Sequence, residues 1–450
     1  MVHTKQAMTA EEISRLSREY TFFSWAVQST VKPIPMSSAE GVYFWDANGK
    51  RYLDFSSQLM NINVGHQHPK VVRAIQEQAA KLCFAHPGVA TEPRARLGEM
   101  LAQVTPGDLK KTFFCLGGAE ANENAIKIAR AFTGRYKILA TYISYHGATH
   151  GAIALTGDKR RWAAEPAMPG VVHLLNPYCY RCPFGWTRET CHRECIRHVE
   201  EVIHYEGPEN IAAVILEGVT GSNGIIVPPD DYWPRIREIC NKYDILLISD
   251  EVMSGFGRTG KWFAVDNWQV VPDIMTMAKG VTSGYVPLGC VIVSERIAEF
   301  FENRMLWCGL TYSAHPLACA AGVATLEVYQ EDRLIENAAE VGVHLGQRLE
   351  ALKQKHPSVG DVRYIGLFSV IECVKNKQTK EPTVSRFAKG AELAVMNEVG
   401  KFLSDEGLFT FINANMIFVV PPLCITKEQI DKGIDIIDQA LKITDRACNA

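Results

Sequence analysis

The chain has 450 residues, 47% of them hydrophobic and 22% charged, with a formal net charge of -3 when its 13 histidines are counted neutral. That is a globular composition, long enough for more than one domain and without the basic stripe of a nucleic-acid binder. No apolar run approaches the ~20 residues of a membrane span and MVHTKQAMTAEEISRLSREY has no apolar core for secretion, so a cytoplasmic protein with neither membrane nor nucleic-acid partner is expected.

In chain order, GVYFWDANGKRYLDFSS (41–57) reads as a hairpin around an Asn48-Gly49 turn. HPKVVRAIQEQAAKL reads as an amphipathic helix opened by proline. From about Lys111, strand and helix alternate. KTFFCL is a short apolar run, GGAEANENAIKIARAF a glycine-led helix, and KILATY strand-like. IAAVILEG (211–218) and DILLISDEV (244–252) are the β-branched runs that a sheet buried on both faces needs, with helical WPRIREICNKY between them. DIMTMA and LGCVIVS follow. After His315-Pro316 come two helical stretches, LACAAGVATLEVYQ and RLIENAAEVGVHLGQRLEALKQ, then strand-like RYIGLFSVIEC and TFINANMIFVV, and a last helix from Thr426. The alternation predicts an α/β fold with a mainly parallel sheet covered on both faces. A large domain is expected over 66–315 and a smaller α+β domain over 316–450, completed by residues 1–65.

Ligands of open parallel sheets sit beyond the C-terminal strand ends. Gly117, Gly118 and Ala119 follow KTFFCL and open a helix, where bare N–H groups bind an anion. Glu217 ends AAVILE, Asp250 and Glu251 follow ILLIS, and Lys279 follows DIMTMA. An anion cradle, an acid and a lone lysine on one rim suit pyridoxal phosphate. The lysine forms a Schiff base, the helix start holds the phosphate, and the aspartate keeps the pyridinium protonated. A buried lysine is costly as a cation but acceptable as an imine.

Two other signals compete. GFGRTG (255–260) matches the dinucleotide fingerprint, but KWFAVDNW follows it without a helical period. CYRCPFGWTRETCHREC places Cys179, Cys182, Cys191 and Cys195 at spacings that could hold a structural zinc ion; the alternative is a thiol-rich surface insert.

The segments GGAEANENAIKIAR, SYHGATHGA, DEVMSGFGRTG, AKGVTSGYVPLG, TYSAHPLACAA and PPLCIT, in this order, resemble the class III pyridoxal-phosphate aminotransferases, the ω-aminotransferases of fold type I. The resemblance covers nearly the whole chain. It implies a large domain with a mainly parallel seven-stranded sheet, pyridoxal 5'-phosphate as cofactor, and ping-pong transamination through pyridoxamine phosphate. It implies an amine donor and an oxo-acid acceptor as partners, in a homodimer or dimer of dimers. By motif, Lys279 is the Schiff-base lysine and proton carrier, and Asp250 the partner of the ring nitrogen. Val252 and Tyr145 flank the ring, with His146 beside Tyr145 in the cofactor site. Gly118 and Ala119 hold the phosphate, Thr311 reaches the phosphate of a neighbouring subunit, and Glu217 lies near the ring. The substrate pocket falls to Phe22, Phe23 or Trp25, to Leu59 and Met60, and to the strand before PPLCIT. Many relatives carry an arginine in that strand for the α-carboxylate; here Asn413 takes the position. An amide has neither charge nor fork, so another cation holds the acceptor, or it is held weakly, or it is not an α-keto acid. Taurine–pyruvate and β-alanine–pyruvate enzymes are the nearest in look, and 4-aminobutyrate, a diamine or an aromatic amine would fit the same Leu/Met/aromatic pocket as donor. An aminomutase or decarboxylase of the same fold is the alternative.

Overall fold

The computed structural model describes residues 8–448; the outermost residues of the two expected terminal segments, 1–7 and 449–450, lie outside it. The β-branched runs form one seven-stranded sheet. Its spatial order is Leu109–Cys115, Gly289–Ser294, Ile274–Met277, Leu246–Asp250, Ile211–Glu217, Lys137–Thr141 and Val171–Leu174. Only Gly289–Ser294 runs against its neighbours. The central strands carry Val214, Ile215, Leu247 and Ile248 with no exposed surface. Each such side chain contributes roughly 1.5–3 kcal/mol of apolar burial, which is why these segments lack the alternation of a half-exposed strand.

The hairpin is present. Tyr43–Asp46 pairs antiparallel with Arg51–Asp54 and with Met36–Glu40. Arg51–Asp54 pairs in parallel with Leu408–Phe409, from the far end of the chain. A third sheet joins Val359–Ile365, Phe368–Asn376, Met416–Val419 and Ile412–Asn413. Helix Pro316–Glu331 packs on Pro69–Lys81 and Glu92–Val104, so closely that a Cβ on Gly322 would stand 2.8 Å from Leu97. Among the described residues no helix is long and apolar enough to cross a membrane.

Candidate active site

The parallel register brings the acids together. Glu217 and Asp250 are Cα partners at the ends of adjacent strands, and Asp250 is in turn paired with Thr276, three residues before Lys279. Asp250 is 3% exposed. Its Oδ2 accepts from His146 Nδ1 at 2.7 Å and Asn122 Nδ2 at 2.8 Å, and its Oδ1 from the Val252 amide at 3.0 Å. Thr276 Oγ1 donates to Asn122 Oδ1 at 2.8 Å, so the lysine's own strand orients the amide that orients the acid. Burial disfavours a charged His146, but the hydrogen bond and charge of Asp250 outweigh it and raise its pKa. His146 Nε2 is buried and has no protein partner.

Glu217 accepts from the Tyr145 amide at 3.0 Å and the Gly221 amide at 2.7 Å. Burial pushes its carboxyl up to about 7, against the pull of His146. Lys279 leaves its strand with φ 41°, in the left-handed region that a side chain occupies only at a cost. Burial lowers its pKa, opposed by Asp250 and Glu217 and assisted by Arg160 and Arg258. The amine is thereby shifted toward its nucleophilic form.

Helix Gly118–Thr133 begins on this rim after an extended Gly117. A Cβ on Gly118 would lie 2.8 Å from Val252, so the first turn stays bare and its N–H groups reach the rim. These features fit pyridoxal phosphate: a bare anion cradle, a locked carboxylate, an unpartnered buried imidazole nitrogen and a lysine biased toward its free amine.

At the substrate side, Tyr145 lies under the Arg160 guanidinium, 3.8 Å from the ring centroid, and edge-on to Trp25 at 6.3 Å. Arg160 donates through Nε to both oxygens of Asp158 and through Nη2 to Asp158 and to Ser222 Oγ, the last at 3.0 Å. Asn413 Nδ2 donates to the Ser222 carbonyl at 2.9 Å. Trp25 and Leu59 are each 60% exposed and Phe23 is half-buried, whereas Met60 is 2% exposed among Val219, Ile225 and Met253. Thr311 is exposed. Sequence reasoning missed Arg160, Asn122 and Ser222. DKRRW carries no pattern that separates Arg160 from its neighbours, and Asn122 sits in an ordinary helix.

GFGRTG opens no helix. Its glycines 257 and 260 take positive φ in tight turns, and the next element is a short 3-10 helix, Ala264–Trp268. The local fold thus agrees with the sequence argument against a dinucleotide loop. All thirteen cysteines are free. Among the described residues no group of three or more His, Cys, Asp or Glu side chains is arranged to hold a metal ion. Cys195 is buried at the start of its helix while Cys179, Cys182 and Cys191 are half-buried, as in a thiol-rich insert.

The class-III aminotransferase model matches residues 24–441, and the chain belongs to that family. It resembles the structure of the taurine:2-oxoglutarate aminotransferase of Bifidobacterium kashiwanohense in complex with PLP and glutamate, with TM-score 0.94 and 45% identity over 98% of this chain and 99% of that one. It is 34% identical to the taurine–pyruvate aminotransferase of Bilophila wadsworthia, over 95% of this chain and 96% of the relative. It is also 36% identical to the leucine/methionine racemase of Thermococcus litoralis, over 96% of each. The fold is that of the fold type I pyridoxal-phosphate transferases, the cofactor is pyridoxal 5'-phosphate, and the chemistry is transamination between an amine and an oxo acid.

Proposed function

We propose that this aminotransferase takes its amino group from an ω-amino acid with a terminal acid group, such as taurine, β-alanine or 4-aminobutyrate. It passes the group to pyruvate or another small oxo acid, 2-oxoglutarate included. The observation that carries this reading is Arg160. Its guanidinium lies over Tyr145 and donates to the protein through Nε and Nη2. Nη1 is left to meet a carboxylate or sulfonate, which a guanidinium binds through charge-assisted hydrogen bonds. The donors and acceptors in the names of the Bilophila and Bifidobacterium relatives are acid-bearing in the same way.

The cofactor, when bound, supplies an electron sink next to the substrate carbon. Lys279 Nζ takes a proton from that carbon and returns it elsewhere, and its lowered pKa suits it to act as a base. Asp250, fixed by His146 and Asn122, keeps negative charge against the ring nitrogen. Val252 and Tyr145 would bracket the ring, and Gly118 and Ala119 would hold the phosphate. Thr311 completes the phosphate site of a neighbouring copy, so the working unit is at least a homodimer. Donor and acceptor use one pocket in turn, a ping-pong scheme.

A donor panel run against pyruvate, 2-oxoglutarate and glyoxylate tests the reading. Amino product is expected only when both partners are present, with parallel double-reciprocal plots. Racemised or decarboxylated donor without an acceptor would assign the chain to another reaction of the fold. Borohydride should fix the cofactor on Lys279; fixation on another lysine overturns the site.

A further inference from the structure

GFGRTG opens no helix as a dinucleotide loop does, yet it contains an unusual residue. Arg258 has no exposed surface. Its Nη1 donates to the Pro421 carbonyl, and its Nη2 donates to Ser57 Oγ at 2.7 Å and Asn63 Oδ1 at 2.9 Å. All three acceptors are neutral, and its Nε is buried without a partner. Burying a guanidinium without a carboxylate against it costs several kcal/mol. A neutral side chain could join three oxygens more cheaply.

The network around Arg258 closes on the turn after Lys279. Asn63 Nδ2 donates to the Phe256 carbonyl at 3.0 Å, and a Cβ on Gly280 would meet that same nitrogen at 2.7 Å and the Phe256 Cβ at 2.6 Å. Tyr329 OH donates to the Gly280 carbonyl at 2.8 Å, and its ring stacks on Phe256 with centroids 6.1 Å apart. The Val64 amide donates to Ser283 Oγ at 3.0 Å. Lys279 and Ser283, at either end of this turn, both have positive φ. The turn is therefore gripped from the N-terminal segment, from GFGRTG and from helix Pro316–Glu331.

We propose that Arg258 is a positioning residue for Lys279: it ties Ser57, Asn63 and Pro421 around the turn that follows the lysine, and its fixed positive charge acts on the amine. This rests on Lys279 being the cofactor lysine. The charged groups acting on Lys279 are Asp250 and Glu217, which favour its cation, and Arg160 and Arg258, which oppose it. Those acting on Arg258 are Tyr329, Asp54 and Cys424, none of which is hydrogen-bonded to it. Burial lowers the Lys279 pKa first, and the Arg258 guanidinium adds to that effect against the two carboxylates.

The test is an absorbance titration of the cofactor-loaded protein from pH 5 to 10, reading the midpoint of the lysine imine band. Arg258→Met should raise the midpoint by about one pH unit, because removing a nearby cation favours the protonated imine. Arg258→Lys keeps the charge and should hold the midpoint within about 0.3 units. Asn63→Asp keeps the guanidinium but neutralises it, and should raise the midpoint like Arg258→Met. It decides the question if Arg258→Met does not fold. An unchanged midpoint in a folded, cofactor-binding Arg258→Met or Asn63→Asp protein overturns the proposal. Wild-type protein without an imine band at Lys279 would instead overturn the cofactor assignment.

Discussion

Arg160 and Asn413 meet on Ser222, the first donating to its hydroxyl at 3.0 Å and the second to its carbonyl at 2.9 Å. On the reading that Asn413 takes the place of a carboxylate-binding arginine, Arg160 is the cation at this edge, since both side chains bond the same serine.

Arg160→Gln should therefore raise KM for acid-bearing donors by about tenfold to a hundredfold, the equivalent of one charge-assisted hydrogen bond of roughly 1.5–3 kcal/mol. A plain alkylamine donor should change by less than about twofold. Steady-state kinetics on taurine, β-alanine and butylamine check this; equal losses on all three would remove Arg160 from substrate binding.

Asn413→Arg tests the same edge from the other side. A second guanidinium there should lower KM for pyruvate and leave an aldehyde acceptor unchanged. The native enzyme should accordingly show a high KM for pyruvate. If neither KM moves in the variant, the half-buried Asn413 serves only its bond to Ser222.

Asp250→Asn keeps the shape of the ring partner and removes its charge. A rate loss of about a hundredfold or more, roughly 3 kcal/mol of transition-state stabilisation, is expected. Single-turnover rates check it, and near wild-type turnover would show that this carboxylate does not face the ring.

Glu251, beside Asp250, is a buried acid outside the ring contacts. Burial pushes its carboxyl up to about 7, against hydrogen bonds from Ser254 and the Ala264 and Val265 amides. Its folded pKa lies above the ordinary value of 4.5, so the native state holds the proton longer than the unfolded chain does. Its contribution is full below about pH 4.5 and is lost as pH rises through about 7. Denaturant melts of the apoprotein at pH 5 and 7.5 should show stability falling with pH. Glu251→Gln should flatten that fall by up to about 3 kcal/mol. An unchanged slope in the variant would mean that Glu251 titrates normally.

Thr311 is exposed beside Tyr312, which is 52% exposed and meets Phe84 edge-on at 6.1 Å. If this surface completes a neighbour's phosphate site, sedimentation at working concentration should show no active monomer. Full activity in a monomeric fraction would contradict the shared site.

The sequence by itself determined the sheet's central strands and the rim residues Lys279, Asp250, Glu217 and Gly118. Those strands are buried on both faces and read as unbroken β-branched runs, and strand order alone carries their ends to one edge. The edge strand Val171–Leu174 was not legible, being four residues long and only partly buried. The parallel pairing of Arg51–Asp54 with Leu408–Phe409 was not legible either, because two residues carry no period and their partner is some 350 positions away. Tertiary structure alone decided what Arg160, Asn122 and Arg258 do. Each makes at least one hydrogen bond to a segment distant in the chain, and a side chain's partner across a fold leaves no trace in the spacing of its own neighbours. GFGRTG shows the limit most plainly: the same six letters fit a phosphate loop, and only the fold shows that they hold a buried guanidinium reaching Ser57, Asn63 and Pro421.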